Sequence, residues 1–285
     1  MRKPKILASV MLSVGLAAAL ALAGCSPANT GKLNVVTSTS MMAQIVGRVG
    51  GDRVDVVNII PPAQCPGHFD VRPGDIQKLA DADLFLLHGW QGEKFSQEII
   101  ASANNPNLTV VTLDIQTTEN QNWMVPVVQR EATDIITAAL SQVDAENSAT
   151  YEELATEYKE VITAKETEIK AKLNQVNHPE VNVMCADMQA GFVKWVGFNI
   201  ITTYGRPDSL TPQVVRELVD TGRESNITLI IDNLQSGKDA GASVAEELGC
   251  TRIILSNFPG GFPDTETWEE AIDKNIELIM EAITQ

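Results

Sequence analysis

The segment from Asp144 to Gln175 constrains the fold most, because its pattern predicts one long helix. Acidic residues crowd its first turns, lysines accumulate towards its end, and Asp144 is the predicted N-cap. At about 1.5 Å per residue, such a helix would be roughly 45 Å long. It either joins two lobes or lies on the surface of one larger domain. Its apolar residues recur at the three- and four-residue spacing of a single helical face: Tyr151, Leu154, Tyr158, Val161, Ile162, Ile169 and Leu173.

The amino-terminal residues are typical of a lipoprotein signal peptide. Three basic residues precede an apolar run over residues 6–21, which ends in Leu22-Ala23-Gly24-Cys25. Small residues before the cleavage point suit signal peptidase, and the Cys25 thiol is the acceptor of the lipid. We expect residues 1–24 to be removed, residues 25–32 to form a tether, and the protein to be a membrane lipoprotein facing the extracytoplasmic or periplasmic side. The alternative is a signal anchor, for which the apolar run is short.

Charge, cysteine content and missing motifs narrow the function class. The formal net charge is −16, and removing the three basic residues of the signal peptide makes it −19. Such an acidic protein repels nucleic acid and anionic lipid headgroups. Beyond Cys25 only Cys65, Cys185 and Cys250 remain, too few for a disulfide framework. The chain contains no Gly-x-Ser-x-Gly, His-Glu-x-x-His or phosphate-binding glycine motif, so we expect a binding protein and not an enzyme.

Strand and helix patterns alternate on both sides of the long helix, which predicts an α/β fold. We therefore expect two parallel-sheet lobes, residues 33–143 and 178–285, joined by one long spine helix within residues 144–177, with a ligand cleft between the lobes. In such sheets, ligands bind beyond the carboxyl ends of the strands. The predicted strands are 33–37, 54–60, 84–87, 108–112, 181–184, 199–203, 227–231 and 252–255, and the predicted helices include 73–83, 95–103 and 264–283.

Side chains with binding chemistry follow several of these strands. Taken singly, a histidine at a strand end is more often a structural hydrogen-bonding residue, and a buried cysteine is more often a packing residue. Together they favour a binding site at the cleft. The segments are Cys65-Pro66-Gly67-His68, His88-Gly89-Trp90 and Gln121-Asn122-Trp123 in the first lobe, and Cys185-Ala186-Asp187, Asp232-Asn233-Leu234-Gln235 and Ser256-Asn257-Phe258 in the second.

Several motifs after Cys25 match those of one known family. They are Pro61-Pro62 with Pro73-x-Asp75, the run 79–84, Gly89 with Glu93, Trp123 with Pro126, Gln235, and residues 269–283 with Asn275. Through them the chain resembles the zinc and manganese uptake family of metal-binding lipoproteins from bacterial ABC importers, over almost its whole length after Cys25. The resemblance implies a two-lobed clamp on a rigid helix, with small lobe movements on binding. It also implies an ABC permease and its ATPase as partners, and we expect a monomer held to the lipid bilayer through acylated Cys25, without nucleic acid.

The metal-ligand positions that the resemblance implies hold other residues in this chain. His68 lies one residue after the first position, and Cys185 and Asp187 flank the third. A displaced set of ligands is therefore one interpretation, and a changed ligand is another. The four positions correspond to Gly67, Gln121, Ala186 and Ser256.

The first hypothesis is a cleft that captures a transition-metal ion, with zinc preferred, and delivers it to a membrane permease. Nitrogen, sulfur and oxygen donors of this kind suit zinc, copper or iron. The metal is here the transported ligand. The candidate metal ligands are His68, Cys65, Asp187, Cys185 and Gln121, and the candidates for supporting positions in the cleft are His88, Trp123, Asp232 and Ser256.

The second hypothesis is a cleft that binds a metal chelate or a small organic ligand. Aromatic side chains would then provide stacking surfaces, and amides would provide hydrogen bonds. The alternative for each aromatic residue is packing in the core. An adhesin or a purely structural lipoprotein has no positive signal in the sequence. The aromatic candidates are Trp90, Trp123, Trp195 and Phe258.

Overall fold

The computed structural model describes residues 31–89, 93–116, 122–176 and 181–284. Within these residues lie two four-stranded sheets in which every neighbouring pair of strands is parallel. The strand orders, β2-β1-β3-β4 and β6-β5-β7-β8, are equivalent. The predicted fold class, two parallel-sheet α/β lobes, is therefore confirmed. The strands are β1 Leu33–Thr37, β2 Val54–Asn58, β3 Leu84–Leu87, β4 Thr109–Thr112, β5 Asn182–Ala186, β6 Asn199–Tyr204, β7 Leu229–Asn233 and β8 Thr251–Leu255.

Helices cover both faces of each sheet, so the central strands are buried. All residues of β3 and of β7 are buried, which is why these strands read as apolar runs with little alternation. The edge strands β2 and β4 leave Val57 and Val110 exposed. The helices are α1 Ser40–Gly50, α2 Pro73–Ala80, α3 Phe95–Ala103, α4 Pro126–Val143, α5 Ser148–Leu173, α6 Ala190–Val196, α7 Pro212–Glu224, α8 Leu234–Gly237, α9 Ala242–Leu248 and α10 Trp268–Thr284.

The long helix predicted from the sequence is α5, and it begins at Ser148. The predicted N-cap is wrong, because Asn147 occupies that position. Asp144 instead ends α4, with its N–H donating to the carbonyl of Leu140 at 2.8 Å. Its carboxylate accepts hydrogen bonds from the Tyr151 hydroxyl (2.6 Å) and the Asn147 side chain (2.7 Å). Asp144 therefore stabilises the turn that joins the two helices.

The helix α4 was not predicted and pairs with α5 along the spine. It begins with Pro126 in the first turn, where a missing N–H costs nothing. Arg130 near its start binds Glu166 at 2.8 Å, and Asp134 one turn later binds Lys159 at 2.6 Å. Because the partners run in opposite directions along α5, the two helices are antiparallel. The spine is a helix pair.

One continuous buried core extends from the first sheet through α4 and α5 to the second sheet. Leu84, Ile162 and Ile231 all belong to it, and each lobe has a second, smaller core on its other face. The fully buried Trp268 of α10 also donates its indole N–H to the carbonyl of Met124 at 3.1 Å. Close-packed interiors deform little, so a shared core restricts hinge movement between the lobes.

No helix within the described ranges is both long and apolar enough to cross a membrane. The predicted signal peptide and Cys25 lie outside the described residues.

Candidate functional site

The loop between β2 and α2, which carries two predicted ligands, contacts the second lobe at Gly67. A Cβ atom placed on Gly67 would lie 3.0 Å from Nη1 and 3.2 Å from Nη2 of Arg206, the second residue after β6. Residues Pro66–His68 form a single 3-10 turn, in which the N–H of His68 donates to the carbonyl of Cys65 at 3.0 Å. Glycine suits this position because a side chain would meet the guanidinium.

Two of the predicted metal ligands, His68 and Asp187, are exposed and belong to opposite lobes. Asp187 directly follows β5, and its Oδ2 atom would lie 3.8 Å from a Cβ placed on Gly205. Gly205 precedes Arg206, whose guanidinium lies against the residue before His68. The segment Gly205-Arg206 therefore links the loop that carries His68 to the strand end that carries Asp187. We call Gly67, His68, Asp187 and Arg206 the Arg206 site.

The other predicted ligands are less accessible. Cys65 is buried, and Cys185 is fully buried in the core that the two lobes share. Burial, with a smaller contribution from the charge of Asp187, raises the pKa of the Cys185 thiol to about 12, so this thiol is protonated at neutral pH. Gln121 lies outside the described residues. Within the described parts of the chain, no three His, Cys, Asp or Glu side chains are grouped to hold a metal ion.

His88 and Trp123 form a buried layer beneath the strand ends of the first lobe. The two rings are in edge-to-face contact, with centroids 4.2 Å apart. The Nε2 atom of His88 lies 2.6 Å from Oγ1 of Thr39. Burial lowers the pKa of His88 to about 3, so the imidazole is neutral at physiological pH. Both side chains are therefore placed to support the surface and not to face a ligand.

Glu93 fixes the backbone beside this layer. Its carboxylate accepts hydrogen bonds from the N–H of His88 (3.2 Å), the N–H of Gly89 (2.7 Å) and the hydroxyl of Ser38. A buried carboxylate is stable only with such donors. Glu93 thus holds the ends of β1 and β3 in register.

Side-chain amides and backbone carbonyls join the two lobes directly elsewhere on the inter-lobe surface. Gln235 donates to the carbonyl of Pro62 at 2.9 Å, and Ser40 donates to the carbonyl of Pro259 at 2.8 Å. Asn122 donates at 2.9 Å both to the carbonyl of Met188 and to the side chain of Asn257, and the Asn257 amide donates to Met188 at 3.0 Å. We call this set the latch: Ser40, Pro62, Asn122, Met188, Gln235, Asn257 and Pro259.

Ser256, a predicted cleft residue, is buried and stabilises the latch through its hydrogen bond with Gln235. Its hydroxyl accepts a hydrogen bond from Gln235 at 2.9 Å and donates to the carbonyl of Phe258 at 2.9 Å. Its N–H and carbonyl bind the side-chain amide of Asn275, at 3.0 and 2.8 Å. The polar groups of Ser256 are thus all used inside the protein.

Asp232 lies on the outer face of β7 and stabilises the second lobe. Its buried carboxylate accepts hydrogen bonds from Arg252 (2.6 Å), the N–H of Gly241 (2.7 Å) and the Tyr204 hydroxyl (2.9 Å). Burial raises the pKa of Asp232, and the bonds from Arg252 and Gly241 oppose this shift. Asp232 therefore holds the chain that follows β7, and its carboxylate is used inside the second lobe.

The aromatic candidates contribute mainly to packing. Trp123 and Phe258 are buried in the shared core. Trp195 is half-buried and stacks on Phe192, with ring centroids 5.6 Å apart. Trp90 lies outside the described residues.

Sequence analysis missed Arg206. The other half-buried arginines of the described chain are paired, Arg130 with Glu166 and Arg252 with Asp232. The Arg206 side chain has no hydrogen bond or ion pair with the described residues. Its position two residues after a strand was the available signal, because the candidate binding segments were sought just after the predicted strands. The arrangement places a permanent cation against the loop that carries the exposed His68, next to the glycine that lies near the exposed Asp187.

Known proteins share this sequence pattern and fold. Residues 35–282 match the family described as "ZnuA: Zinc-uptake complex component A periplasmic". In sequence, the chain is 27% identical over 252 residues to the manganese ABC transporter substrate-binding lipoprotein scaA of Streptococcus gordonii, covering 80% of this chain and 80% of that protein.

Two solved structures illustrate the likeness of fold. The Ni²⁺ complex of the SBP FpvC from P. aeruginosa has a TM-score of 0.77 at 18% identity, covering 89% of this chain and 97% of that chain. The periplasmic zinc binding protein TroA from Treponema pallidum has a TM-score of 0.75 at 17% identity, covering 89% and 99%. At these identities the likeness establishes the fold alone.

The family match extends over both sheets, the helix pair and the inter-lobe loops. It confirms the resemblance found in the sequence and the expectation of a binding protein rather than an enzyme. The chain belongs to the ZnuA family of periplasmic uptake-complex components.

Proposed function

We propose that this protein is the extracytoplasmic solute-binding lipoprotein of an ABC importer and that it captures a transition-metal cargo for a membrane permease. Membership of the ZnuA family supports this function, and a relative from Streptococcus gordonii is named as a substrate-binding lipoprotein of a manganese transporter. The partners are the permease and its ATPase. The anchor is acylated Cys25, which holds the protein on the extracytoplasmic face.

The observation that carries the proposal is that one segment, Gly205-Arg206, lies against both predicted ligand loops. His68 comes from the first lobe and Asp187 from the second, and both side chains are exposed. A ligand that binds both is held by both lobes at once. Imidazole nitrogen and carboxylate oxygen are donors that zinc accepts, so zinc is the preferred metal. Cys65, Cys185 and Gln121 are the remaining candidate donors.

The chemistry of these donors makes binding sensitive to pH. A metal binds the neutral imidazole and the ionised carboxylate, so protons compete with it. Affinity therefore decreases as the pH falls.

A metal chelate is the second candidate cargo, and the contact between Gly67 and Arg206 favours it. The family resemblance implies a metal-binding imidazole at position 67. This chain has Gly67 there, and the Arg206 guanidinium lies against it. Arginine is always protonated in proteins and binds carboxylates and phosphates. A cargo with its own anionic groups fits this surface.

The proposed function is tested by elemental analysis of the purified mature protein and by thermal unfolding with zinc, copper(I), iron(II), manganese and cobalt. A metal at about one hundred times its dissociation constant stabilises the fold by about 2.7 kcal/mol, which raises Tm by roughly 5–10 °C. His68→Ala and Asp187→Ala should both remove this shift. Glu160→Ala, an exposed carboxylate on α5, should retain it. A metal-free protein that none of these ions stabilises would contradict capture of a bare ion.

The anchor is tested separately by labelling cells with a radioactive fatty acid. Wild-type protein should carry the label, and Cys25→Ser should not, because the serine hydroxyl does not replace the acceptor thiol. A labelled Cys25→Ser variant would refute the proposed anchor.

A further inference from the structure

We propose that Arg206 binds an anionic oxygen group of the cargo, so that the transported species is a metal together with a carboxylate or phosphoryl ligand. The inference rests on the proposed metal-binding function and specifies its substrate class. The residues that carry it are Gly67, His68, Asp187 and Arg206.

The first step is the space that Gly67 provides. The guanidinium nitrogens of Arg206 would lie 3.0 and 3.2 Å from a Cβ on Gly67, closer than an ordinary contact. A Cβ atom there would require the guanidinium to shift by a few tenths of an ångström, and a longer side chain would compete with it for the same space. The glycine therefore permits a cation at the position where the family resemblance implies an imidazole.

The second step concerns the charge of Arg206, which no carboxylate of the described residues pairs with. The protein is strongly acidic, with a formal net charge of −16, and its other half-buried arginines, Arg130 and Arg252, bind carboxylates at 2.8 and 2.6 Å. Among the described residues, Arg206 alone of these three has no such partner. Half-burial removes part of its hydration, and an oxyanion replaces that hydration best because the guanidinium donates two parallel hydrogen bonds.

The third step is the coordination that remains open on the metal. Zinc in proteins takes four ligands as a rule, and the exposed donors of the Arg206 site are one imidazole and one carboxylate. Oxygen atoms of an accompanying anion complete such a coordination sphere. Arg206 then neutralises the charge that the anion brings, while His68 and Asp187 bind the metal itself.

The test is zinc binding by isothermal titration calorimetry in three solutions of equal anion concentration and ionic strength, containing chloride, acetate or methylphosphonate. Acetate and methylphosphonate bind free zinc weakly, so a change in affinity reports the complex on the protein. We expect one of the two oxyanions to tighten zinc binding by about tenfold relative to chloride. The effective anion identifies the group as carboxylate or phosphoryl.

Variants assign this effect to Arg206. Arg206→Gln should bind zinc equally in all three solutions, and Arg206→Lys should retain part of the enhancement, because lysine keeps the charge and loses the paired donors. Arg216→Gln removes an exposed arginine of α7 and serves as the matched control, with the wild-type enhancement expected.

The possible failures are distinguishable. Equal zinc affinity in all three solutions for wild type would overturn the anion site and leave the metal function intact. An oxyanion enhancement that persists in Arg206→Gln would also overturn it. Absence of zinc binding in every solution, together with no stabilisation by the other metals, would overturn the metal function and the inference with it.

Discussion

The polar groups of the inter-lobe surface form two sets, the latch and the Arg206 site, which differ in their hydrogen bonding. In the latch, the amides of Asn122, Gln235 and Asn257 are satisfied by direct hydrogen bonds, across the lobes or, from Asn257 to Met188, within the second lobe. In the Arg206 site, the guanidinium and the carboxylate of the second lobe and the imidazole of the first make no side-chain hydrogen bond or ion pair with the described residues. Buried polar groups in folded proteins are normally paired, so we propose that the latch holds the lobes and that the half-buried Arg206 marks the side that is available to cargo.

The shared core explains why the latch can be made of uncharged groups. Leu84, Ile162 and Ile231 already join the lobes through the spine, and Trp268 adds a hydrogen bond to Met124. The latch therefore has to fix only the spacing of strand ends across the surface. Small movements at the Arg206 site are compatible with such a frame, and wide hinge opening is not.

The largest effect is expected from Gln235→Met in the latch. Gln235 binds Pro62 and Ser256 through its amide nitrogen and accepts the N–H of Asn257. Methionine therefore leaves the Pro62 carbonyl and the Asn257 N–H without these partners and removes one of the partners of the Ser256 hydroxyl. We expect the free energy of unfolding to decrease by about 3 kcal/mol, measured by urea denaturation. Gln213→Met on the exposed face of α7 is the control and should change it by less than about 0.5 kcal/mol. Similar values for both variants would mean that the latch does not hold the lobes.

The next effect concerns the buried layer that supports the first lobe. The pKa of His88 is about 3 in the folded protein and 6.5 ordinarily, so between these values the unfolded chain takes up a proton that the folded protein does not. The contribution of the neutral His88 to the free energy of unfolding is therefore fully present above pH 6.5 and is lost as the pH falls. From pH 6.5 to 5 the loss is about 2 kcal/mol.

Urea denaturation across this pH range checks the prediction. His88→Gln should remove most of the slope, whereas His68→Gln should retain it, because His68 is exposed. An unchanged slope in His88→Gln would show that other groups cause the acid sensitivity.

A smaller effect is expected from Ser40→Ala. This half-buried hydroxyl makes one latch contact, with the carbonyl of Pro259. Its loss should decrease the free energy of unfolding by about 1 kcal/mol. The same denaturation experiment measures this decrease. A value near that of Gln235→Met would mean that the loss of stability does not depend on how many hydrogen bonds a latch residue makes.

The smallest stability effect should come from the other side of the surface. Arg206→Gln removes a side chain without an ion pair in the described structure, so we expect a change within about 0.5 kcal/mol in the absence of cargo. Destabilisation as large as in the latch variants would mean that Arg206 is a structural residue. The comparison between the two sides would then fail.

The sequence predicts the repeated α/β architecture well, because hydrophobic patterns are local. The strands β1 and β3 and the helix α3 have the predicted bounds, and β5 differs by a shift of one or two residues. The helix α4 was missed although its buried residues Val128, Ala132, Ile136 and Leu140 follow helical spacing. The turn after it was assigned to α5, since Asp144 is also a typical N-cap residue.

The candidate site was harder to predict because its contacts are distant in the chain. The bond between Gln235 and Pro62 spans 173 residues, and the bond between Asn122 and Asn257 spans 135. No local pattern distinguishes an amide that joins two lobes from one in solvent. Arg206 was overlooked for a related reason: its significance comes from its lack of a partner among the described residues, which only three-dimensional packing reveals.

The measurement that tests the central claim most directly is an anomalous difference map at the zinc edge, from crystals grown with zinc and the oxyanion that tightens binding. We predict one strong peak within coordination distance of His68 and Asp187, with anion density that reaches the Arg206 guanidinium and with the hydrogen bonds of Gln235 and Asn122 intact. A peak beside Ser256 and Asn257 with the latch opened would contradict the division between a latch and a cargo site.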